Sequence, residues 1–107
     1  ADEEIGRLDG IVVLLAEDHP TNRTMLAETL IERGAIVHVA ENGEEAVRLA
    51  TEYRPDAILM DCQMPRIDGL EATRRIRAAG DRVPVIALTA FATLNIREDC
   101  LAAGMNS

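Results

Sequence analysis

Four short apolar runs, residues 11–16 (IVVLLA), 35–40 (AIVHVA), 57–60 (AILM) and 83–88 (VPVIAL), are each followed by a longer stretch with helical punctuation. Runs that are apolar throughout, instead of alternating with polar residues, suit strands of a parallel sheet covered on both faces. The alternation predicts a βαβαβαβα chain with right-handed crossovers, an α/β doubly wound parallel sheet. Pro20 is placed to open the first helix and Gly34 to close it, with Met25, Leu26, Ala27, Leu30 and Ile31 as its apolar face. Asn42 and Gly43 start the second, which sets Ala46, Ala50 and Tyr53 on one face and stops at Pro55. Asp68 caps the third, with Leu70, Thr73, Ile76 and Arg77 at helical spacing and Gly80 as its end. A fourth, residues 93–103, carries Leu94, Ile96, Cys100 and Leu101 and ends at Gly104.

Composition narrows what such a sheet can do. A chain of 107 residues makes one domain, expected at 11–107, with the polar residues 1–10 (ADEEIGRLDG) as a tail or linker. Nineteen acidic residues face eleven basic ones, a net charge of −8, which argues against nucleic acid or an anionic membrane as partner. Tyr53 and Phe91 are the only aromatics, too few for a base-stacking platform. The longest apolar run, 11–16, is far too short to insert in a membrane, and the acidic opening is unlike a signal peptide. Two cysteines make no disulfide framework, so a cytoplasmic domain is expected. Cys62 reads as a small core residue, with redox sensing as the alternative. Arg74, Arg75 and Arg77 read as a solvated helix face or a docking surface.

In an open parallel sheet, ligands bind beyond the carboxyl ends of the strands. The first run ends in Glu17-Asp18, the third in Asp61 and the fourth in Thr89-Ala90, so the topology brings all of them to one edge. Three carboxylates there repel one another unless a cation is bound. A hard divalent ion that prefers oxygen ligands meets that need. Taken singly, Glu17 and Asp18 also suit the N-terminal dipole of the next helix, Asp61 a turn cap, and Thr89 a strand. A carboxylate beside a metal can attack phosphorus and form an acyl phosphate, a reaction dominated by in-line positioning and charge neutralisation.

The stretches LLAEDHPTNRTML, DAILMDCQMPRIDGLEATRRIR and VPVIALTA resemble the receiver domain of two-component response regulators. The E-D-x-x-x-N form of Glu17, Asp18 and Asn22 is similar to receivers carried by hybrid sensor histidine kinases and phosphorelays. The resemblance implies a flavodoxin-like fold of strand order 2-1-3-4(-5). It implies Asp61 as acceptor of a phosphoryl group from the phosphohistidine of a histidine kinase or histidine phosphotransfer domain. It further implies Mg²⁺ (or Mn²⁺) on Asp18, Glu17, Asp61 and the Gln63 backbone carbonyl. Thr89 corresponds to the switch hydroxyl, with the Ala90 N–H beside it. Gln63 and Phe91 fall at positions that tune dephosphorylation, and Pro65 and Gly69 shape the loop after the acceptor.

One part of the pattern is missing. Such domains carry a lysine at the end of a fifth strand and then a fifth helix, whereas all eleven basic residues here are arginines. With strand five and its helix absent, strand four becomes an edge at which Val83, Val85, Ile86 and Leu88 lose neighbours. Three explanations are open: a C-terminal segment cleaved or lying beyond these residues, pairing with another copy (a homodimer or strand exchange through strand four), or a degenerate domain. The first is favoured because every motif before the break is intact. The rival function is a pseudo-receiver scaffold that binds partners without normal phospho-switching. A phosphatase with an Asp nucleophile needs a second acid at position 63, which is glutamine, and a flavin module needs a phosphate loop after strand one, which is absent.

Overall fold

A computed structural model of the chain describes residues 8–88 and 94–106, with the side chains of 94–97 outside that description. Thr89, Ala90, Phe91 and most of the expected tail therefore lie outside the described residues, as do the Leu94 and Ile96 side chains. The elements are β1 (Val12–Ala16), α1 (Pro20–Glu32), β2 (Ile36–Ala40), α2 (Gly43–Tyr53), β3 (Ala57–Asp61), α3 (Gly69–Ala78), β4 (Val85–Leu88) and α4 (Leu94–Ala102). The strands form one parallel sheet in the order β2-β1-β3-β4, as the resemblance implied. β4 starts later than its apolar run because Pro84 has no N–H to give to the ladder.

Helix boundaries follow local chemistry. The Asn42 and Asp68 side chains accept the N–H groups of Glu45 and Glu71, each at 2.8 Å, and so cap α2 and α3. Pro20 occupies the first turn of α1, where no N–H is needed. At the other end of α1, Gly34 takes φ +99°, a left-handed conformation that a Cβ disfavours. Arg54 ends α2 in the same region, at φ 46°, just before Pro55.

The core lies between one face of the sheet and α2, α3 and α4. Leu14, Ala16, Ile58, Met60 and Val85 meet Ala46, Leu49 and Ala50 of α2, Ala72 and Ile76 of α3, and Cys100 of α4. Alanines on the helices let the backbones approach the sheet closely. The opposite face differs from the expectation of equal cover. Val13 and Leu15 are buried there, but Leu59 is only half-buried and Ile86 is 37% exposed. The expected apolar face of α1 is likewise only partly engaged: Leu26, Ala27 and Leu30 are half-buried, while Met25 and Ile31 are each 57% exposed. Those two residues are adjacent to the seam of the helix in spacing and not on it. Tyr53 is also turned outward, stacked on His38 at 3.8 Å between ring centroids.

β4 is the edge of the described sheet, but Val83 and Val85 keep their cover, contrary to the expected loss of neighbours. Two features account for this. Asn106 lies alongside: its N–H donates to the Val85 carbonyl at 2.7 Å, and its side-chain oxygen accepts the Val85 N–H at 2.9 Å. Arg77 then clasps the corner, donating to the carbonyls of Asp81, Val83 and Gly104 and to the Asn106 side chain. Only Arg74 and Arg75 of the arginine run are solvated; they pair with Glu71. Arg77→Met keeps the aliphatic stem but orphans these carbonyls, so it is expected to cost about 2–3 kcal/mol in urea denaturation. Arg74→Met, which removes an exposed ion pair only, is expected to change stability by less than about 0.5 kcal/mol.

Candidate functional site

The sheet order reverses direction at β1, since β2 lies to one side and β3 to the other. That is the switch point where open α/β sheets bind ligands. The register pairs Ala16 with Met60, so Glu17, just past β1, comes beside Asp61, the last residue of β3. Asp18 follows. One carboxylate oxygen from each of Glu17, Asp18 and Asp61 lies within 4.8 Å of the others. Glu17 is buried, Asp61 half-buried and Asp18 exposed, so the cluster runs from the interior out to solvent.

Backbone and side-chain contacts hold each acid in place. The Glu17 N–H continues the β1–β2 ladder to Ala40 at 3.0 Å. Its carboxylate accepts the His19 N–H at 3.3 Å and the Asn22 amide at 3.5 Å. The Gln63 N–H donates to Asp61 Oδ1 at 3.0 Å, which fixes one oxygen and leaves Oδ2 free of that bond. Arg23, a residue the sequence reading passed over, closes the β1–α1 loop from outside. Its guanidinium donates to the carbonyls of Glu17 and Asp18 and pairs with Glu41 at 3.1 Å. Its charge therefore meets main-chain oxygens and a neighbouring helix lead-in, not the carboxylates of the pocket. The available signal was its position in the first turn after an acidic pair, and helix-face reasoning alone does not single that out.

The loop between β3 and α3 forms the other wall. The Gly69 N–H donates to the Cys62 carbonyl at 3.1 Å, so the chain turns back on itself directly after Asp61. A Cβ at Gly69 would overlap the Asp61 carbonyl oxygen, which is why this position takes glycine. Arg66 holds φ 69° in the loop and reaches Glu44 at 3.4 Å, tying the loop to the start of α2. Pro65 and Gln63 are exposed within it.

Burial, more than the neighbouring charges, sets the protonation of Asp61. The Asp61 carboxyl is pushed up to about 7, chiefly by burial; the Gln63 N–H opposes this, while a hydrogen bond to Glu17 and the charges of Glu17 and Asp18 add to it. The neighbouring Cys62 thiol is pushed up to about 12, by burial first and then by Cys100 and nearby acids. Three hard oxygen donors with uncompensated negative charge suit Mg²⁺ or Mn²⁺, whereas a soft ion would call for thiolate or imidazole donors.

Fold and site together define a flavodoxin-like α/β domain with an acidic pocket at the carboxyl edge of its sheet. The chain belongs to the response regulator receiver domain family, whose model matches residues 13–107, and it is thus a receiver domain of two-component systems. It is 36% identical over 106 residues to the sensor histidine kinase RcsC of Escherichia coli K12, spanning 99% of this chain and 11% of that protein. The receiver domain of sensor histidine kinase PA1611 from Pseudomonas aeruginosa PAO1, solved with a magnesium ion in its active-site cleft, is 52% identical. Its TM-score is 0.83, over 91% of this chain and 81% of that one. The receiver domain of Saccharomyces cerevisiae Ssk1, solved with the histidine phosphotransfer protein Ypd1, is 30% identical, with a TM-score of 0.87 over 92% and 77% of the two chains.

The raised Asp61 carboxyl has a measurable consequence. Its folded-state value of about 7 lies above the ordinary 3.8, so the folded state holds this proton more tightly than the unfolded state does. Its contribution to stability is complete below pH 4 and is lost as the pH rises through 7. Asp61→Asn does not ionise. Without divalent cations it is expected to be more stable than the parent above pH 7, by roughly 1–2 kcal/mol because a part-exposed group is screened. That gain is expected to vanish near pH 4, as read by urea denaturation in EDTA at each pH.

Proposed function

We propose that this domain accepts a phosphoryl group on Asp61 from a phosphohistidine, with Mg²⁺ held by Asp18, Glu17, Asp61 and the Gln63 backbone carbonyl. The observation that carries this reading is the convergence of three carboxylates within 4.8 Å at the switch point of the sheet. The magnesium-bound receiver of PA1611 supports the ion, and the Ypd1–Ssk1 complex supports a histidine phosphotransfer domain or histidine kinase as donor. When bound, the ion neutralises the pocket and draws charge from the phosphoryl oxygens.

The remaining roles fall to this chain. Asp61 Oδ1 is oriented by the Gln63 N–H, and Oδ2 attacks phosphorus in line with the departing imidazole. The P–N bond breaks as the new P–O bond forms, and the imidazole takes a proton from solvent. Glu17, fixed by His19 and Asn22, keeps its carboxylate directed into the pocket. Thr89 and Ala90 follow Leu88, the residue paired with Asp61 in the sheet. In this reading the Thr89 hydroxyl and the Ala90 N–H take phosphoryl oxygens, while Gln63 and Phe91 govern how water reaches the acyl phosphate. Pro65 and Gly69 set the loop that carries Gln63.

The receiver unit begins at residue 11 in this reading, with 1–10 as linker. The chain spans about a tenth of the sensor kinase it matches, and in this reading it serves as a cytoplasmic receiver of the kind hybrid kinases carry. Among the described residues no helix is long and apolar enough to cross a membrane.

Incubation with Mg²⁺ and acetyl phosphate, followed by intact mass and a phosphate-affinity gel, tests the proposal. One phosphoryl adduct is expected, absent with EDTA and absent in Asp61→Asn. Asp18→Asn is expected to raise the Mg²⁺ concentration needed by on the order of tenfold or more. A folded protein that takes no adduct at saturating Mg²⁺ would instead support the scaffold reading.

A further inference from the structure

Two buried side chains take no part in the reading above. Cys62 follows Asp61 at the end of β3 and is 7% exposed; Cys100 lies in α4 and is 3% exposed. They are the only cysteines among 107 residues, and each is the other's neighbour. Their sulfurs stand 3.1 Å apart across 38 positions of sequence, and both are free thiols. Other small core sites on the same face, Ala46, Ala50 and Ala72, carry alanine. Packing alone therefore gives no reason for a sulfur facing a sulfur.

We propose that Cys62 and Cys100 are a redox modification site that closes into a reversible intramolecular disulfide. The bond needs sulfurs about 2.05 Å apart, an approach of about 1 Å that small side-chain and backbone shifts can supply. A low-molecular-weight disulfide, R–S–S–R, is the oxidant. One cysteine thiol gives up its proton and attacks an oxidant sulfur; a mixed disulfide forms and RS⁻ leaves. The second cysteine gives up its proton and attacks the cysteine sulfur of that mixed disulfide, and the second RS⁻ leaves. The protein loses two hydrogens, two electrons pass to the oxidant, and two RSH result.

The link would join the end of β3 to α4, a tie additional to those Arg77 and Asn106 make beyond the helix. The Cys62 carbonyl anchors the loop that turns back at Gly69, and the Cys100 carbonyl accepts the Met105 N–H at the end of α4. A disulfide here ties the strand end beside the acidic pocket to that helix. In a reducing compartment such a bond is transient, which suits a sensor better than a structural staple. This inference does not depend on phosphoryl transfer.

The test is equilibration of the native protein in glutathione buffers from fully reduced to fully oxidised, with acid quenching, alkylation, intact mass and peptide mapping. The expected result is a monomer lighter by two hydrogens, a cross-linked peptide pair containing Cys62 and Cys100, and full reversal by dithiothreitol. Cys62→Ser and Cys100→Ser should each lose the cross-link, and circular dichroism checks that each remains folded. Two alkylatable thiols persisting in the most oxidising buffer would overturn the proposal, as would a cross-link seen only in denaturant. So would glutathione adducts or intermolecular dimers as the end product.

Discussion

The parallel register between β1 and β3 is the constraint on which the rest of the molecule depends. With Ala16 opposite Met60, the next step along both chains sets Glu17, just past β1, beside Asp61, the last residue of β3. Hydrogen-bonded neighbours lie about 4.8 Å apart, so two acids ending such strands meet without any loop having to bring them together. A one-residue slip would turn every side chain of a strand to its other face. Leu14, Ile58 and Met60, buried under α2 and α3, resist that slip. The hydrophobic core therefore sets the position of the charged pocket, and the repulsion in the pocket is borne by the energy of the core.

Much of this architecture was legible because its signals are local. Continuous apolar runs mark strands that parallel neighbours bury, and Pro20, Asn42 and Asp68 mark helix starts through the hydrogen bonds they make or lack. The acids were legible too, since residues ending parallel strands converge by topology alone. What escaped the sequence depends on long-range partners. Helical spacing sets Arg77 beside Leu70, Thr73 and Ile76, but nothing local announces that it clasps four acceptors while Arg74 stays in solvent. Nothing local announces that Asn106 satisfies the backbone of Val85 along the open edge. The apolar face expected for α1 includes Met25 and Ile31, yet both are exposed, while Leu26, Ala27 and Leu30 are half-buried.

Position and charge in the pocket are supplied by different groups. The β3–α3 loop is shaped by the close approach of Gly69 to the Asp61 carbonyl and by the left-handed turn at Arg66. The β1–α1 loop is shaped by Arg23 on the carbonyls of Glu17 and Asp18. Neither device uses an acidic side chain of the pocket as its anchor. Negative charge is thereby left at a place whose frame is already set, and the Asp61 carboxyl is displaced upward, first by burial and then by Glu17 and Asp18.

The Arg23 clasp bears on how such a domain can change over evolutionary time. Because the guanidinium grips main-chain oxygens, which every residue type possesses, its hold on the loop survives exchange of the exposed side chain at 18, whereas exchange at 17 also gives up the bonds from His19 and Asn22. Substitution at 23 would do the reverse, loosening the frame with the charges intact. Chemistry and scaffold are thus open to selection separately at Asp18, where a lineage could retune the ion preference of the site with the loop still held by Arg23.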